Sequence, residues 1–102
     1  MTNQTVPTND PYLDSFLYIF TNHSKLQNYL TAEYFSFESL ILDIKKIKKV
    51  SKSWSTSEKF MLDLAQHLYG IQGKVDLNMI DYLDQNNKRL AMAALKIRFK
   101  GM

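Results

Sequence analysis

The segment from Asn86 to Phe99 constrains the fold more than any other part of the sequence. At about 100° per residue, its apolar side chains fall on two opposite arcs of a helix, so we expect apolar partners on both sides. Small alanine side chains on such a helix allow close approach of its neighbours, which is typical of the interior of a bundle. The two arcs are Leu90, Ala93, Ala94 and Ile97 against Met92, Leu95 and Phe99.

The 102 residues are predicted to form an all-α bundle of four main helices with one short helix. The periodicity of apolar residues places the main helices near 11–30, 32–50, 57–69 and 86–99, and the short helix at 77–83. Residues 1–9 are polar and carry no charge besides the amino terminus. We therefore expect a disordered lead-in followed by a single helical domain over 10–102.

Helix start and stop residues support several of these boundaries. Asp10 precedes Pro11, and a carboxylate at the N-cap with proline at the first helical position is a strong start signal. Ser55 is followed three residues later by Glu58, which is the pattern of a capping box. Gly70 is expected to end the third helix, because glycine readily adopts the backbone conformation found after a helix C-terminus.

The start of the second helix has two interpretations. Thr31 is a candidate cap, and the segment from Thr31 to Phe37 is also aromatic and β-branched enough for a kink or a short break. The predicted buried face of this helix consists of Phe37, Leu40, Ile41, Ile44 and Ile47.

Composition limits the class and the compartment of the protein. The chain is 45% hydrophobic and 23% charged, which is typical of a soluble globular domain. It contains no cysteine, so disulfides, thiol nucleophiles and thiolate metal sites are excluded, and a reducing cytoplasm is favoured. No apolar run approaches the roughly 18 residues of a membrane span, and the N-terminus lacks the pattern of a signal peptide. We expect a cytoplasmic protein that does not enter a membrane.

Sequence motifs for catalysis and cofactor binding are missing. The three glycines, at positions 70, 73 and 101, form neither a phosphate-binding loop nor a dinucleotide fingerprint. The serines between positions 51 and 57 are not surrounded by the motif of a nucleophilic serine. We therefore predict no catalytic residue, no cofactor and no enzymatic activity.

Asp63 and His67 are the strongest candidates for a metal site. They are spaced i, i+4, so they share one helix face, but no third ligand is indicated. The acidic residues between positions 76 and 84 lack the pattern of a calcium loop, and two of them are expected to cap helices. His23 lies on an apolar stripe, where a partly buried imidazole bonded to a carbonyl is favoured over a catalytic base. We predict no metal site.

The basic strip is the most specific surface feature, and it has two interpretations. Neutralisation of phosphates by a lysine strip would give salt-dependent, sequence-independent affinity for nucleic acid. Alternatively, the lysines form a solvated helix end, where cations suit the helix dipole, and we favour this interpretation. The strip consists of Lys45, Lys46, Lys48, Lys49 and Lys52 in a chain of net charge +3.

Two segments carry a resemblance to known proteins. The stretch from Trp54 to Tyr69, together with the stretch from Asp84 to Ala91, resembles small uncharacterised proteins of low-GC Gram-positive bacteria and their phages. The resemblance covers about the C-terminal half of the chain. It implies a bacterial cytoplasm or a mobile element as the setting, and it implies no activity, ligand or site.

These patterns favour a small non-enzymatic binding or regulatory protein that acts through protein contacts. Tyrosine is enriched at interfaces, and six tyrosines cannot all lie in the core of so small a domain. The alternative is a nucleic-acid-binding factor that uses the basic strip, encoded by a phage or mobile element and acting on host DNA machinery. The identity of the partner and the oligomeric state do not follow from the sequence. The tyrosines are Tyr12, Tyr18, Tyr29, Tyr34, Tyr69 and Tyr82.

Overall fold

The computed structural model describes residues 10–71 and 73–100, so the predicted disordered lead-in at 1–9 lies outside the described residues. The described chain contains four α-helices, three short 3-10 helices and one antiparallel hairpin, which confirms the prediction of a small all-α bundle. None of these helices has the length and apolar character required to cross a membrane. The α-helices are α1 (Pro11–Asn22), α2 (Ile44–Val50), α3 (Thr56–Leu68) and α4 (Gln85–Arg98). The strands are β1 (Phe35–Ser36) and β2 (Ile41–Leu42), and the 3-10 helices are Leu26–Tyr29, Ser51–Ser53 and Leu77–Tyr82.

Helix α1 occupies the centre of the bundle, with α4 and α3 packed against it. Its side chains Phe16, Ile19 and Phe20 are completely buried. The prediction that α4 is buried on two sides is wrong. Its main contacts are with α1 and α3, and the opposite side of α4 stays exposed. Met92 and Phe99, on the far side of α4, are 42% and 43% exposed.

Helix α1 ends at Asn22, eight residues before the predicted end at 30. The reason is a run of polar side chains that bond to nearby backbone groups and so compete with helix continuation. The Thr21 hydroxyl donates to the carbonyl of Leu17, and the imidazole Nδ1 of His23 accepts from the backbone N–H of Lys25 and of Leu26. The chain therefore leaves the helix and continues as the 3-10 helix Leu26–Tyr29.

The predicted second helix over 32–50 is wrong in its first half, where the chain forms the β1–β2 hairpin instead. The turn between the strands is closed by Ser36, whose carbonyl accepts from the N–H of Leu40 and whose hydroxyl accepts from the N–H of Ser39. Leu40 has a φ of +59°, a left-handed conformation that interrupts any right-handed helix. Asp43, and not Thr31, then caps α2 by accepting from the N–H of Lys46.

The other helix boundaries agree with the sequence signals. The capping box of Ser55 and Glu58 is present in both directions at the start of α3. Gly70 follows α3 with a φ of +85°. Asp76 and Asp84 accept backbone N–H groups at the starts of Leu77–Tyr82 and α4, which confirms the two predicted acidic caps.

Candidate binding surfaces

Large apolar side chains are exposed at the turn of the hairpin, and we call Phe37, Leu40 and Ile41 the hairpin surface. Their exposed fractions are 55%, 41% and 63%, respectively. The strand register pairs Phe35 with Leu42, both buried, and Ser36 with Ile41, both exposed. The solvent-facing side of a short hairpin is usually polar, so three exposed apolar side chains at this position are unusual.

The base of the hairpin is anchored in the core. The ring of Phe35 stacks on that of Phe16 with centroids 5.5 Å apart, and Phe37 packs edge-on against Phe35 at 5.2 Å. The hydroxyl of Tyr69 donates to the carbonyl of Leu40. The exposed apolar side chains therefore stand on a base that is held by contacts with α1 and the end of α3.

A groove of about 500 Å³ runs beside the two strands and is lined in part by Tyr34 and Ile41. Residues 32–43 include three acidic side chains and no lysine or arginine. Two of these acids, Glu33 and Asp43, line the groove together with Lys45. One of these acids is balanced by a neighbouring cation, since the ammonium of Lys46 lies 3.9 Å from the Glu33 carboxylate. The acids are Glu33, Glu38 and Asp43.

The basic strip lies on α2 and the following 3-10 helix, and all five of its lysines are exposed. Two of them are already engaged, since Lys46 faces Glu33 and Lys48 donates to the Asp63 carboxylate at 2.8 Å. Within the described residues, the other three lysines of the strip form no ion pair. Lys59 of α3 lines the same shallow depression as Lys48 and Lys52. The sequence did not indicate that Lys59 lies beside the basic strip, because Lys59 belongs to a different helix.

The structure does not bring a metal-binding set together around Asp63 and His67. Across residues 10–71 and 73–100, no group of three or more His, Cys, Asp or Glu side chains could hold a metal ion. The Asp63 carboxylate pairs with Lys48 instead. The absence of a metal site stays a prediction for the whole chain.

His23 is buried, and its imidazole bonds to the backbone two and three residues further along the chain. The predicted bond to a carbonyl is not the contact observed, since Nδ1 accepts from two backbone N–H groups. Burial lowers the pKa of His23 below its ordinary value of 6.5, while the carboxylates of Glu58 and Asp84 oppose this effect. A neutral imidazole that accepts hydrogen bonds explains why the chain turns here.

A cleft between α2, α3 and the segment after α3 gathers polar side chains from distant parts of the chain. We call it the α2–α3 cleft; its volume is about 280 Å³. Gln66 is only 6% exposed, and its amide nitrogen has no hydrogen-bond partner among the described residues. Sequence analysis missed Gln66 and Lys74, because neither belongs to a motif. The polar side chains of the cleft are Lys48, Asp63, Gln66, His67 and Lys74.

Comparisons with protein-family models, curated proteins and solved structures find no match for this chain. The resemblance of the segments 54–69 and 84–91 to small proteins of Gram-positive bacteria and phages therefore stays a prediction.

Proposed function

We propose that this protein is a non-enzymatic binding protein that acts through contact with another protein, and that the hairpin surface makes this contact. The observation that carries the proposal is the exposure of Phe37, Leu40 and Ile41 on a hairpin anchored in the core. Contiguous exposed apolar groups with a polar rim mark interaction sites in many proteins. A base that is already ordered reduces the entropy lost on binding.

The charges around the hairpin surface define the chemistry of the partner. Glu33, Glu38 and Asp43 lie in the segment that forms the hairpin. Lys45 lines the same groove and Lys46 pairs with Glu33, so the acids are in small excess over the lysines at this surface. Complementary charges favour encounter and suppress wrong partners. The partner is therefore expected to present a large apolar side chain flanked by lysine or arginine.

Selection from a random peptide library on the immobilised protein tests this proposal. We expect enriched peptides to carry an aromatic or large aliphatic residue next to basic residues. The double variant Phe37→Ser with Ile41→Ser should weaken their binding by at least about tenfold, since buried apolar anchors dominate interface energies. The matched control, Leu77→Ser with Met92→Ser, removes two exposed apolar side chains elsewhere and should leave binding unchanged.

Two results would overturn the proposal. One is a set of peptides that bind the hairpin variant as well as the wild type. The other is sedimentation velocity showing that the wild type forms dimers which the hairpin variant does not form, because a second copy of the chain would then cover this surface.

We also propose that the protein is located in a bacterial cytoplasm. The chain contains no cysteine, which suits a reducing bacterial cytoplasm. The resemblance noted above supports a bacterium, phage or mobile element as the source of the protein. Detection of the tagged protein in the cytoplasmic fraction of its native cell tests this location.

Nucleic-acid binding through the basic strip is the second candidate function. It is favoured by the position of Lys59, which extends the strip across a second helix. It is opposed by the carboxylates of Glu33 and Asp63, which pair with Lys46 and Lys48 and lower the positive potential. The proposed function predicts no micromolar affinity for a DNA duplex.

Fluorescence anisotropy with a labelled duplex at about 50 and 200 mM salt distinguishes the two candidates. Lys45→Glu with Lys49→Glu reverses two charges of the strip, and Lys88→Glu with Lys96→Glu reverses two charges on α4 as a control. Micromolar binding that is lost only in the first variant, with a salt slope smaller by about 0.9 per lost contact, would make nucleic acid the partner.

A further inference from the structure

We propose that the exposed side of α4 binds an acidic amphipathic helix of another protein, one that presents apolar side chains between carboxylates. This inference does not depend on the hairpin contact. It rests on an exposed apolar seam with helical spacing and on an excess of cations around that seam.

The apolar seam consists of Met92, Leu95 and Phe99. These residues recur at steps of three and four, so they lie on one side of the α4 axis. Met92 and Phe99 are exposed and Leu95 is half-buried, whereas Ala91 and Ala94 on the opposite side are completely buried. The seam therefore faces away from the core.

The end of the seam is held in place by Arg98. Its guanidinium carbon lies 4.6 Å from the centroid of the Phe99 ring and 3.5 Å from that of Tyr12 in α1. Its Nε donates to the carbonyl of Leu68 at the end of α3. Contacts that order a surface before binding reduce the entropy lost when a partner docks.

The charges around the seam all have one sign. Residues 85–100 carry five lysine or arginine side chains and no aspartate or glutamate. None of these five cations forms an ion pair with another described residue. The surface is therefore complementary to an acidic partner. The cations are Lys88, Arg89, Lys96, Arg98 and Lys100.

Arg89 and Lys96 are the cations best placed to contact a partner helix. Both are exposed, and their helical positions lie along one edge of the seam. Between paired helices, charged residues beside the apolar seam select the partner and its orientation. We expect aspartate or glutamate opposite Arg89 and Lys96, and large apolar side chains opposite the seam.

The width of the seam favours a helix over the other occupants. At 100° per residue, the three apolar residues span only about 60° of the helix circumference, which is typical of the seam between two paired helices. An amphipathic surface that enters a lipid interface presents a broader apolar face. A second copy of the chain is disfavoured, because a symmetric contact would bring the cations of both copies together.

Selection from a library of helices displayed on a stable helical-bundle scaffold tests the proposal. We expect the enriched helices to carry apolar residues at steps of three and four with aspartate or glutamate beside them. Their binding should weaken between about 50 and 200 mM salt. Free peptides shorter than roughly 12–15 residues seldom form helices in water, so a library of short random peptides reports on the hairpin surface instead.

Two double variants assign the binding to α4. Met92→Ser with Phe99→Ser removes the exposed apolar side chains of the seam and should weaken binding of the enriched helices by about tenfold or more. Arg89→Gln with Lys96→Gln leaves the seam intact, and it should weaken binding at about 50 mM salt and reduce the dependence on salt. Circular dichroism establishes that both variants are folded.

Two controls match these variants. Lys45→Gln with Lys49→Gln removes two cations of the basic strip, so it has the same net charge as the α4 charge variant and should bind the enriched helices normally. The hairpin variant Phe37→Ser with Ile41→Ser should also bind them normally. Loss of basic peptides in the hairpin variant and loss of acidic helices in the α4 variants are therefore separate results.

Four results would overturn the proposal. The first is a selection that enriches no helix, and the second is one that enriches helices with basic flanks. The third is equal binding of the enriched helices to the wild type and to either folded α4 variant. The fourth is a wild type that forms dimers or binds phosphatidylglycerol vesicles while Met92→Ser with Phe99→Ser does not, because a second copy or a lipid surface would then cover the seam.

Discussion

The hydroxyl group of Tyr69, at the end of α3, donates a hydrogen bond to the carbonyl oxygen of Leu40 in the turn of the hairpin. Burial and the charge of Asp10 raise the pKa of Tyr69, so the hydroxyl keeps the proton that it donates. Leu40 adopts a left-handed backbone conformation that is unfavourable for any residue with a Cβ atom. Strain of this kind persists only where the surrounding structure supports it, and here a long-range hydrogen bond contributes to that support.

The left-handed conformation of Leu40 can be tested with two substitutions at the same position. Leu40→Ala and Leu40→Gly both remove the isobutyl group, but only alanine keeps the Cβ that is disfavoured at positive φ. We expect the glycine variant to be more stable than the alanine variant by about 1 kcal/mol in urea unfolding. At a position with ordinary backbone geometry, glycine would instead be the less stable of the two. A more stable alanine variant would contradict the turn geometry.

The capping box of α3 should contribute measurably to stability. The hydroxyl of Ser55 accepts from the N–H of Glu58, and the Glu58 carboxylate accepts from the N–H of Ser55. Ser55→Ala should lower the free energy of unfolding by about 1 kcal/mol. Ser57→Ala, in the first turn of the same helix, is the control and should change stability by less than about 0.5 kcal/mol. A larger loss of stability for Ser57→Ala than for Ser55→Ala would show that Ser57, and not Ser55, caps α3.

The packing of α4 on α1 predicts sensitivity at Ala94. This side chain is completely buried, so Ala94→Leu should overpack the interface and lower the free energy of unfolding by about 1 to 3 kcal/mol. Met92→Leu, on the exposed side of α4, should change it by less than about 0.5 kcal/mol. Urea unfolding measures both, and equal midpoints for the two variants would show that the buried side of α4 is assigned wrongly.

His23 should make stability depend on pH. Burial lowers its pKa in the folded protein below the ordinary value of 6.5, so the unfolded chain takes up the proton first as the pH falls. Its contribution to stability is therefore complete above pH 6.5 and is lost progressively as the pH drops from there towards the folded-state pKa.

His23→Asn tests this dependence, because the asparagine carbonyl can accept a hydrogen bond near the position of Nδ1 but does not titrate. Urea unfolding at several values between about pH 7 and pH 5 should show a steeper loss of stability in the wild type than in the variant. Glu58 does not interfere, since hydrogen bonding to Ser55 lowers its pKa below the ordinary 4.5 and its effect appears only at lower pH. Equal slopes in both proteins would contradict the prediction.

The helix ends could be predicted from the sequence where the residues that cap or end the helix lie within a few positions of it. The cap at Asp10, the capping box at Ser55 and the stop at Gly70 each act within three or four residues, so the sequence contains all the interacting groups. The end of α1 also had a local signal, the polar run from Thr21 to Ser24, which the apolar periodicity on both sides concealed. Periodicity indicates which residues could share a face, but it does not show whether the backbone hydrogen bonds continue through a polar run.

The β1–β2 hairpin could not be predicted from the spacing of the apolar residues. The apolar residues from Phe37 to Ile47 keep helical steps, and a helix over this range would bury them on one face. In the folded protein, Phe35 is buried against α1, and Tyr69 holds the Leu40 carbonyl, so long-range contacts favour a turn over local helix propensity. The same contacts leave Phe37 and Ile41 in solvent, where they form the candidate interface.

The sequence by itself determined the helical class, the caps of α1, α3 and α4 and the position of the basic strip, because composition, periodicity and capping depend on residues that are close in the chain. Only the tertiary structure decided that α1 and not α4 is central, that Lys48 pairs with Asp63, and that Gln66 and Lys74 share a cleft with them. These relationships join residues that are distant in sequence, and packing of the whole core selects them. Periodicity within a single helix carries no information about which distant side chain that helix will meet.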